Sequence, residues 1–209
     1  MIRARMSISL DGFSAGPDQG PEDPIGKGGM RLQQWQLRTA AFFRMQGRAG
    51  GEDSADSAIV EHAMDGVGAH VMGRRMFGGG DGPWDESWRG WWGDEPPFHA
   101  PVFVLTHHPR DPLPMAGGTT FHFVTEGFDA ALDRAREAAG SADVAIAGGA
   151  STVRQALAAG ALDELLLHLV PVVLGAGERP LDGIGDVALE QVSVTPGTGV
   201  AHLRYRVAH

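Results

Sequence analysis

Apolar and polar positions along the chain switch repeatedly between two periods, close to two for strands and close to 3.6 for helices. Residues 2–9 alternate in part and run into Asp11-Gly12, which predicts a strand closed by a turn. Residues 14–29 are rich in Gly and Pro and predict a long irregular loop. Residues 31–45 place Leu32, Trp35, Leu37, Ala40, Ala41, Phe43 and Met45 at roughly helical spacing. Ser54 or Asp56 is positioned to cap a helix that runs to about Met64 and stops at Gly66. Short apolar strands follow at 69–72, 102–105, 121–124 and 144–147, with an Ala-rich helix over 128–139 and another over 151–159. Residues 165–173 predict a strand interrupted by Pro171, and two more strands lie near 187–194 and 200–207. Strand–helix alternation that ends in strands predicts an α/β fold whose mostly parallel sheet gains antiparallel edge strands.

Composition narrows this further. The chain has 209 residues, 43% of them hydrophobic and 21% charged, which suits one globular domain over 1–209; neither an internal repeat nor a linker divides it. The formal charge of −9 argues against nucleic acid or an anionic membrane as a partner. No apolar run approaches the ~20 residues of a membrane helix. The amino terminus carries no signal-peptide pattern, so a cytoplasmic protein is expected. With no cysteine, thiol catalysis and thiolate–metal sites are excluded. His107 and His108 lack further ligands at diagnostic spacing, so no metal is expected.

Three strand ends carry the candidate chemistry. Asp143–Ala147 feeds Gly148-Gly149-Ala150-Ser151-Thr152, where glycines allow close approach and a helix start offers free amides to phosphate. A plain capped turn would leave the same trace. Val71-Met72 runs into Gly73-Arg74-Arg75, and arginine forks match phosphate oxygens. In an acidic chain this pair is the candidate site for a 2′-phosphate. Leu105 leads to Thr106-His107. Ligands in open α/β sheets bind at the carboxyl ends of strands, so the three reinforce one another. The stretch 82–97 holds four of the five tryptophans, Trp84, Trp88, Trp91 and Trp92, as a substrate wall or as packing. No nucleophile elbow or zinc-protease motif is present.

Ser9-Leu10-Asp11-Gly12-Phe13, Val71 to Phe77, Pro101 to Thr106, Ala147 to Ser151, Leu162 to Leu165 and Val170 to Gly175 occur in an order that resembles the dihydrofolate-reductase-like superfamily. More closely, the chain is similar to stand-alone relatives of the reductase domain of the bifunctional riboflavin-biosynthesis deaminase/reductase. The resemblance implies a three-layer fold with helices on both faces of a mixed sheet, NADPH as hydride donor, a small-molecule substrate and a homodimer. It further implies a (phosphoribosylamino)uracil reductase activity. By the same resemblance Gly73, Arg74 and Arg75 approach the 2′-phosphate, and Thr106 and His107 the adenosine ribose. Gly148, Gly149, Ala150, Ser151 and Thr152 would hold the pyrophosphate, Asp11 would border the nicotinamide and substrate, and Trp35, Leu174 and Gly175 would help form the substrate pocket; Asp11 or solvent is the candidate catalytic acid, and Phe13 and Trp84 are further substrate-side candidates. Two departures bear on substrate. Met30 to Trp35 holds no carboxylate where folate reductases carry one, and Met6-Ser7-Ile8 holds no lysine where riboflavin-pathway reductases do. A non-catalytic nucleotide-binding protein on the same scaffold is the alternative.

Overall fold

The structure is a computed structural model and describes residues 1–208. Nine strands form one sheet: β1 (Ile2–Ser9), β2 (Val67–Gly73), β3 (Pro101–Leu105), β4 (Leu113–Pro114), β5 (Thr120–Val124), β6 (Asp143–Gly148), β7 (Glu164–Val170), β8 (Leu189–Gly197) and β9 (Val200–Val207). Their order is β4-β5-β3-β2-β6-β1-β7-β9-β8. The six strands from β5 to β7 run parallel, and β4, β8 and β9 pair antiparallel. The mostly parallel sheet with antiparallel edges is as the alternation predicts.

The described residues form six α-helices: α1 (Gln34–Leu37), α2 (Ala40–Met45), α3 (Ala55–Glu61), α4 (Arg74–Phe77), α5 (Phe128–Ala139) and α6 (Ala150–Ala158). α5 forms because helix-favouring Ala, Arg and Glu surround an apolar stripe of Phe128, Ala131, Leu132 and Ala135, and Gly140 at φ 58° ends it. α3 starts where the Ser54 side chain accepts the Ser57 amide at 3.3 Å. Ser54 is therefore the cap, and Asp56 turns inward instead. The single helix expected over 31–45 is broken. Thr39 is buried and its hydroxyl accepts the Phe42 amide, which starts α2 as a new helix after α1.

β1 explains how the layers divide. Its even positions Ile2, Ala4 and Ile8 join the main core with Val71, Val144, Ile146, Leu165 and the inner faces of α5 and α6. Its odd positions are Arg3, Arg5, Ser7 and Ser9, and successive strand side chains point to opposite faces. An inner strand covered on both sides is ordinarily apolar throughout. Here the second face carries two separate apolar clusters. One gathers Met72, Phe77, Phe98, Val102, Val104 and Phe121; the other gathers Leu32, Trp35, Ala41, Val60, Val170 and Val200. No helix of the described residues is long and apolar enough to cross a membrane.

Candidate active site at the carboxyl edge of the sheet

The parallel strands deliver five residues to one edge of the sheet: Gly73 and Gly148 end β2 and β6, and Asp11, Thr106 and Gly175 follow β1, β3 and β7. At the centre, β2 and β6 are neighbours and α6 begins directly after Gly149. The peptide between Gly148 and Gly149 is cis. Gly73 lies hard against α6: a Cβ on it would stand 2.8 Å from Thr152 Oγ1. That hydroxyl oxygen is buried and has no hydrogen-bond partner. The amides of Ala150 and Ser151, in the first turn of α6, have no intrahelical acceptor. Nothing lies within 4 Å of the space a Cβ on Gly149 would fill. Glycine surface, open amides and an orphaned hydroxyl together form a cradle suited to the oxygens of a phosphate.

The two arginines divide their work. Arg74 sends Nε to the Gly80 carbonyl at 2.8 Å and Nη2 to the Gly82 carbonyl at 2.5 Å, with its guanidinium 3.7 Å over the Trp84 ring. Burial lowers its pKa. Its Nη1 reaches Thr106 Oγ1 at 3.4 Å, and that oxygen also accepts the His108 amide at 3.1 Å. Arg75 is 65% exposed and faces Glu178 at 3.4 Å. His107 and Ser151 are exposed.

Asp11 is an anchor. Its carboxylate accepts the Ser9 hydroxyl at 2.6 Å and the amides of Leu174 at 3.1 Å and Gly175 at 2.7 Å. The Ser9 bond, reinforced by the two amides, holds its pKa down to about 2. Phe13 is buried beneath the Arg179 guanidinium, which lies 4.4 Å from its ring centroid. The loop after β1 is also tied across: Ser14 donates to the Glu178 carbonyl at 2.9 Å, and Glu178 donates to that of Ala15 at 3.0 Å.

The aromatic residues are mostly absorbed in packing. Trp84 donates to the His108 carbonyl at 2.8 Å and meets Phe77 and Phe123 edge-on. Trp88 donates to the Phe77 carbonyl at 3.1 Å, and Trp92 packs on Phe98. Of the four tryptophans in this loop, Trp91 is the exposed one, at 37%. Trp35 is buried, with Nε1 donating to Ser7 Oγ at 2.9 Å. Leu32, in the stretch where folate reductases carry their acid, is fully buried in the same cluster.

Sequence reasoning passed over the polar face of β1. Arg5 makes no hydrogen bond or ion pair among the described residues, and burial together with Arg3 lowers its pKa to about 10. His70, on β2, is buried with neither ring nitrogen hydrogen-bonded. Its pKa falls to about 4, first through burial and then through Arg5; the nearby Phe98 backbone opposes the shift without completing a hydrogen bond. The signal was present: arginine and serine at alternate positions of a strand that topology makes internal. The hollow lined by Met1, Ile2, Gly160 and Asp163 lies at the opposite edge of the sheet and contains none of these groups.

Comparison with known proteins establishes the family and the fold. The model of the RibD C-terminal domain family matches residues 1–203, and the chain belongs to that family. No curated protein matches it. Among solved structures, a putative riboflavin biosynthesis protein from Shewanella sp. PV-4 superposes with a TM-score of 0.57 at 17% identity, covering 100% of this chain and 99% of the other. A dihydrofolate reductase from Enterococcus faecalis, complexed with NADP(H), gives 0.53 at 15% identity and covers 100% and 97%. The Thermotoga maritima diaminohydroxyphosphoribosylaminopyrimidine deaminase/5-amino-6-(5-phosphoribosylamino)uracil reductase gives 0.57 at 12% identity; this chain spans 56% of its length. The shared fold is dihydrofolate-reductase-like, as the ordered sequence segments imply.

Proposed function

We propose that the protein is an NADPH-dependent reductase that transfers hydride to a carbonyl or imine carbon of a small, cyclic substrate. The observation that carries this is the cradle formed by Gly73, the Gly148-Gly149 turn and the unpartnered Thr152 hydroxyl at the carboxyl edge of the sheet. The bound nicotinamide supplies the hydride; the chain binds it, orients it and excludes water. Gly149, Ala150 and Ser151 offer amides to the pyrophosphate, with the Thr152 hydroxyl behind them. Arg75, exposed and only loosely paired, reaches for the 2′-phosphate, while Arg74 braces the loop beside it and Thr106 and His107 border the ribose.

Asp11 positions the substrate side rather than protonating it. An ionised carboxylate that already accepts three hydrogen bonds has no proton to give at neutral pH. Its amide partners, Leu174 and Gly175, form one wall of the pocket and Phe13 the floor of the adjoining loop. The reductase activities named for the relatives make a pyrimidinone bearing an amine the first substrate to try. The functional unit is a cytoplasmic homodimer in this reading. The outer strand β8 supports that, since it leaves Leu189, Val192 and Val194 exposed.

The test is NADPH oxidation against a panel of pterins, pyrimidinones and ketones, with NADPH and NADH affinity measured alongside. Turnover on one class with preference for NADPH is expected. Tight NADPH binding without turnover on any of them would favour a non-catalytic nucleotide-binding protein, a reading to which the buried Leu32 lends weight. Failure to bind either dinucleotide would overturn both.

A further inference from the structure

A chain of buried polar groups on the second face of the sheet is not used by any of this. His168 on β7 and His202 on β9 are register partners, and Ser7 on β1 is the register partner of His168, so the three form one row across the sheet. His168 Nδ1 and His202 Nδ1 are 2.7 Å apart, and His202 Nε2 is 3.1 Å from Asp56 Oδ1 on α3. All three side chains are nearly inaccessible: Asp56 is 1% exposed, His202 2% and His168 3%. Asp56 Oδ2 accepts the Thr198 amide at 3.1 Å and faces Arg38 at 3.7 Å, with Glu52 beyond it at 3.6 Å from the same guanidinium. The surroundings are shaped to the pair: a Cβ at Gly197 would stand 2.0 Å from Asp56 Oδ1 and 2.9 Å from His202 Nε2. Trp35 covers both rings, at 4.5 Å and 4.9 Å between centroids.

The hydrogen-bond chemistry of this row is constrained. A carboxylate only accepts, so His202 Nε2 carries a hydrogen. One proton lies between the two Nδ1 atoms, on one ring or the other. With it on His168, both rings are neutral and His168 Nε2 is a bare lone pair. With it on His202, that ring is an imidazolium beside Asp56 and His168 carries its hydrogen on Nε2. The second state holds one proton more than the first. Burial and the Arg5 charge push the pKa of His168 well down, so charge is disfavoured on that ring itself. The chain moves it one ring further, away from Arg5 and against Asp56.

We propose that Asp56, His202 and His168 form a proton store that takes up one proton at His168 Nε2, holds the charge on His202, and returns the proton to the substrate side during reduction. The delivery step rests on the reductase reading above; the store does not. In delivery, the substrate nitrogen or oxygen would gain the proton from His168 Nε2, the hydride for the adjacent carbon being what a bound reduced nicotinamide would supply. In the same step His202 Nδ1–H passes to His168 Nδ1, so both rings end neutral, and solvent later refills the chain. The placement suits this. The strand that carries His168, β7, stands two strands, about 10 Å, from β6, whose end feeds the phosphate cradle.

Nitrogen-15 NMR of the histidine rings in the intact protein, without substrate, tests the store. Across a pH titration, uptake of one proton is expected to move the His168 hydrogen from Nδ1 to Nε2 and to place a second hydrogen on His202 in the same step. Asp56→Asn should abolish that step. Rings that change independently, or a His168 hydrogen that never moves, would overturn the store. For delivery, His168→Gln is expected to slow single-turnover hydride transfer by about 100-fold and to remove an ionisation from its pH profile, with NADPH affinity unchanged. An unchanged profile with a working store would overturn delivery alone. If no substrate turns over, the reductase reading and delivery fall together while the NMR result still decides the store.

Discussion

The carboxylate of Asp11 holds the amide of Gly175 at 2.7 Å across 164 residues of sequence, joining the loop after β1 to the loop after β7. Its pKa is lowered from an ordinary 3.8 to about 2, chiefly by the Ser9 hydroxyl. A depressed carboxyl pKa adds stability that is present above the unfolded value and lost as pH falls through the folded one. Asp11→Asn should therefore lower the unfolding temperature at neutral pH, and the gap from wild type should close between pH 3.8 and about 2. Thermal unfolding over that range checks it; a gap that persists at the acid end would exclude the charge as its cause.

Arg74 and Arg75 should separate on substitution. Arg75→Ala removes an exposed cation and is expected to cut the NADPH-over-NADH preference by about tenfold, the loss of one charge-assisted contact, with little change in stability. Arg74→Ala removes two carbonyl contacts and a ring contact, and should destabilise the protein by about 1–3 kcal/mol. Titration with both dinucleotides, paired with denaturant unfolding, measures each effect. Equal loss of NADPH preference in both variants, at unchanged stability, would contradict this division.

Thr152 and Gly73 make a matched pair. Thr152→Val removes a buried hydroxyl that has no partner in the free protein, and is expected to raise stability by about 1 kcal/mol while weakening NADPH binding. Gly73→Ala inserts a methyl 2.8 Å from Thr152 Oγ1 and should cost about 1–3 kcal/mol as α6 moves away from β2. Calorimetric binding and unfolding of each variant decide the matter. A Thr152→Val protein that binds NADPH as tightly as wild type would remove the hydroxyl from the cradle.

His70 predicts an acid limb. Its pKa falls from 6.5 to about 4, mainly through burial. Between those values the unfolded chain binds a proton that the folded one refuses, so stability declines as pH drops through that window. The expected contribution is about 3 kcal/mol at 1.4 kcal/mol per tenfold. His70→Leu should flatten the decline between pH 6.5 and about 4, as read from urea unfolding at stepped pH. An equally steep decline in the variant would assign it to other groups.

Much of the fold was legible because the inner strands β2, β3, β6 and β7 are short, largely apolar runs, and the order of elements fixed a parallel sheet with antiparallel edges. The two-residue strand β4 left no such trace in the sequence. The helix expected over 31–45 breaks because Thr39, an unremarkable position in the apolar pattern, turns its hydroxyl onto the backbone. At the site, Gly73 and Gly148-Gly149 were readable, since a glycine at a strand end has a local reason to be there. The competition for Arg74 was not: its partners are carbonyls of Gly80 and Gly82, which carry no side-chain signature. Nor could Asp56 be matched with His202, 146 residues away, when the same aspartate fitted the local pattern of a helix cap.

The second face of the sheet carries two apolar clusters with Arg5 and Ser7 on the strand β1 between them and His70 beside the first, while the first face is one continuous core. Durability and selectivity are thereby lodged in different parts of the molecule. Side chains bordering the gap can be exchanged without opening the main core, so under the proposed function a lineage built on this scaffold is free to change substrate while keeping the glycine cradle at the strand ends.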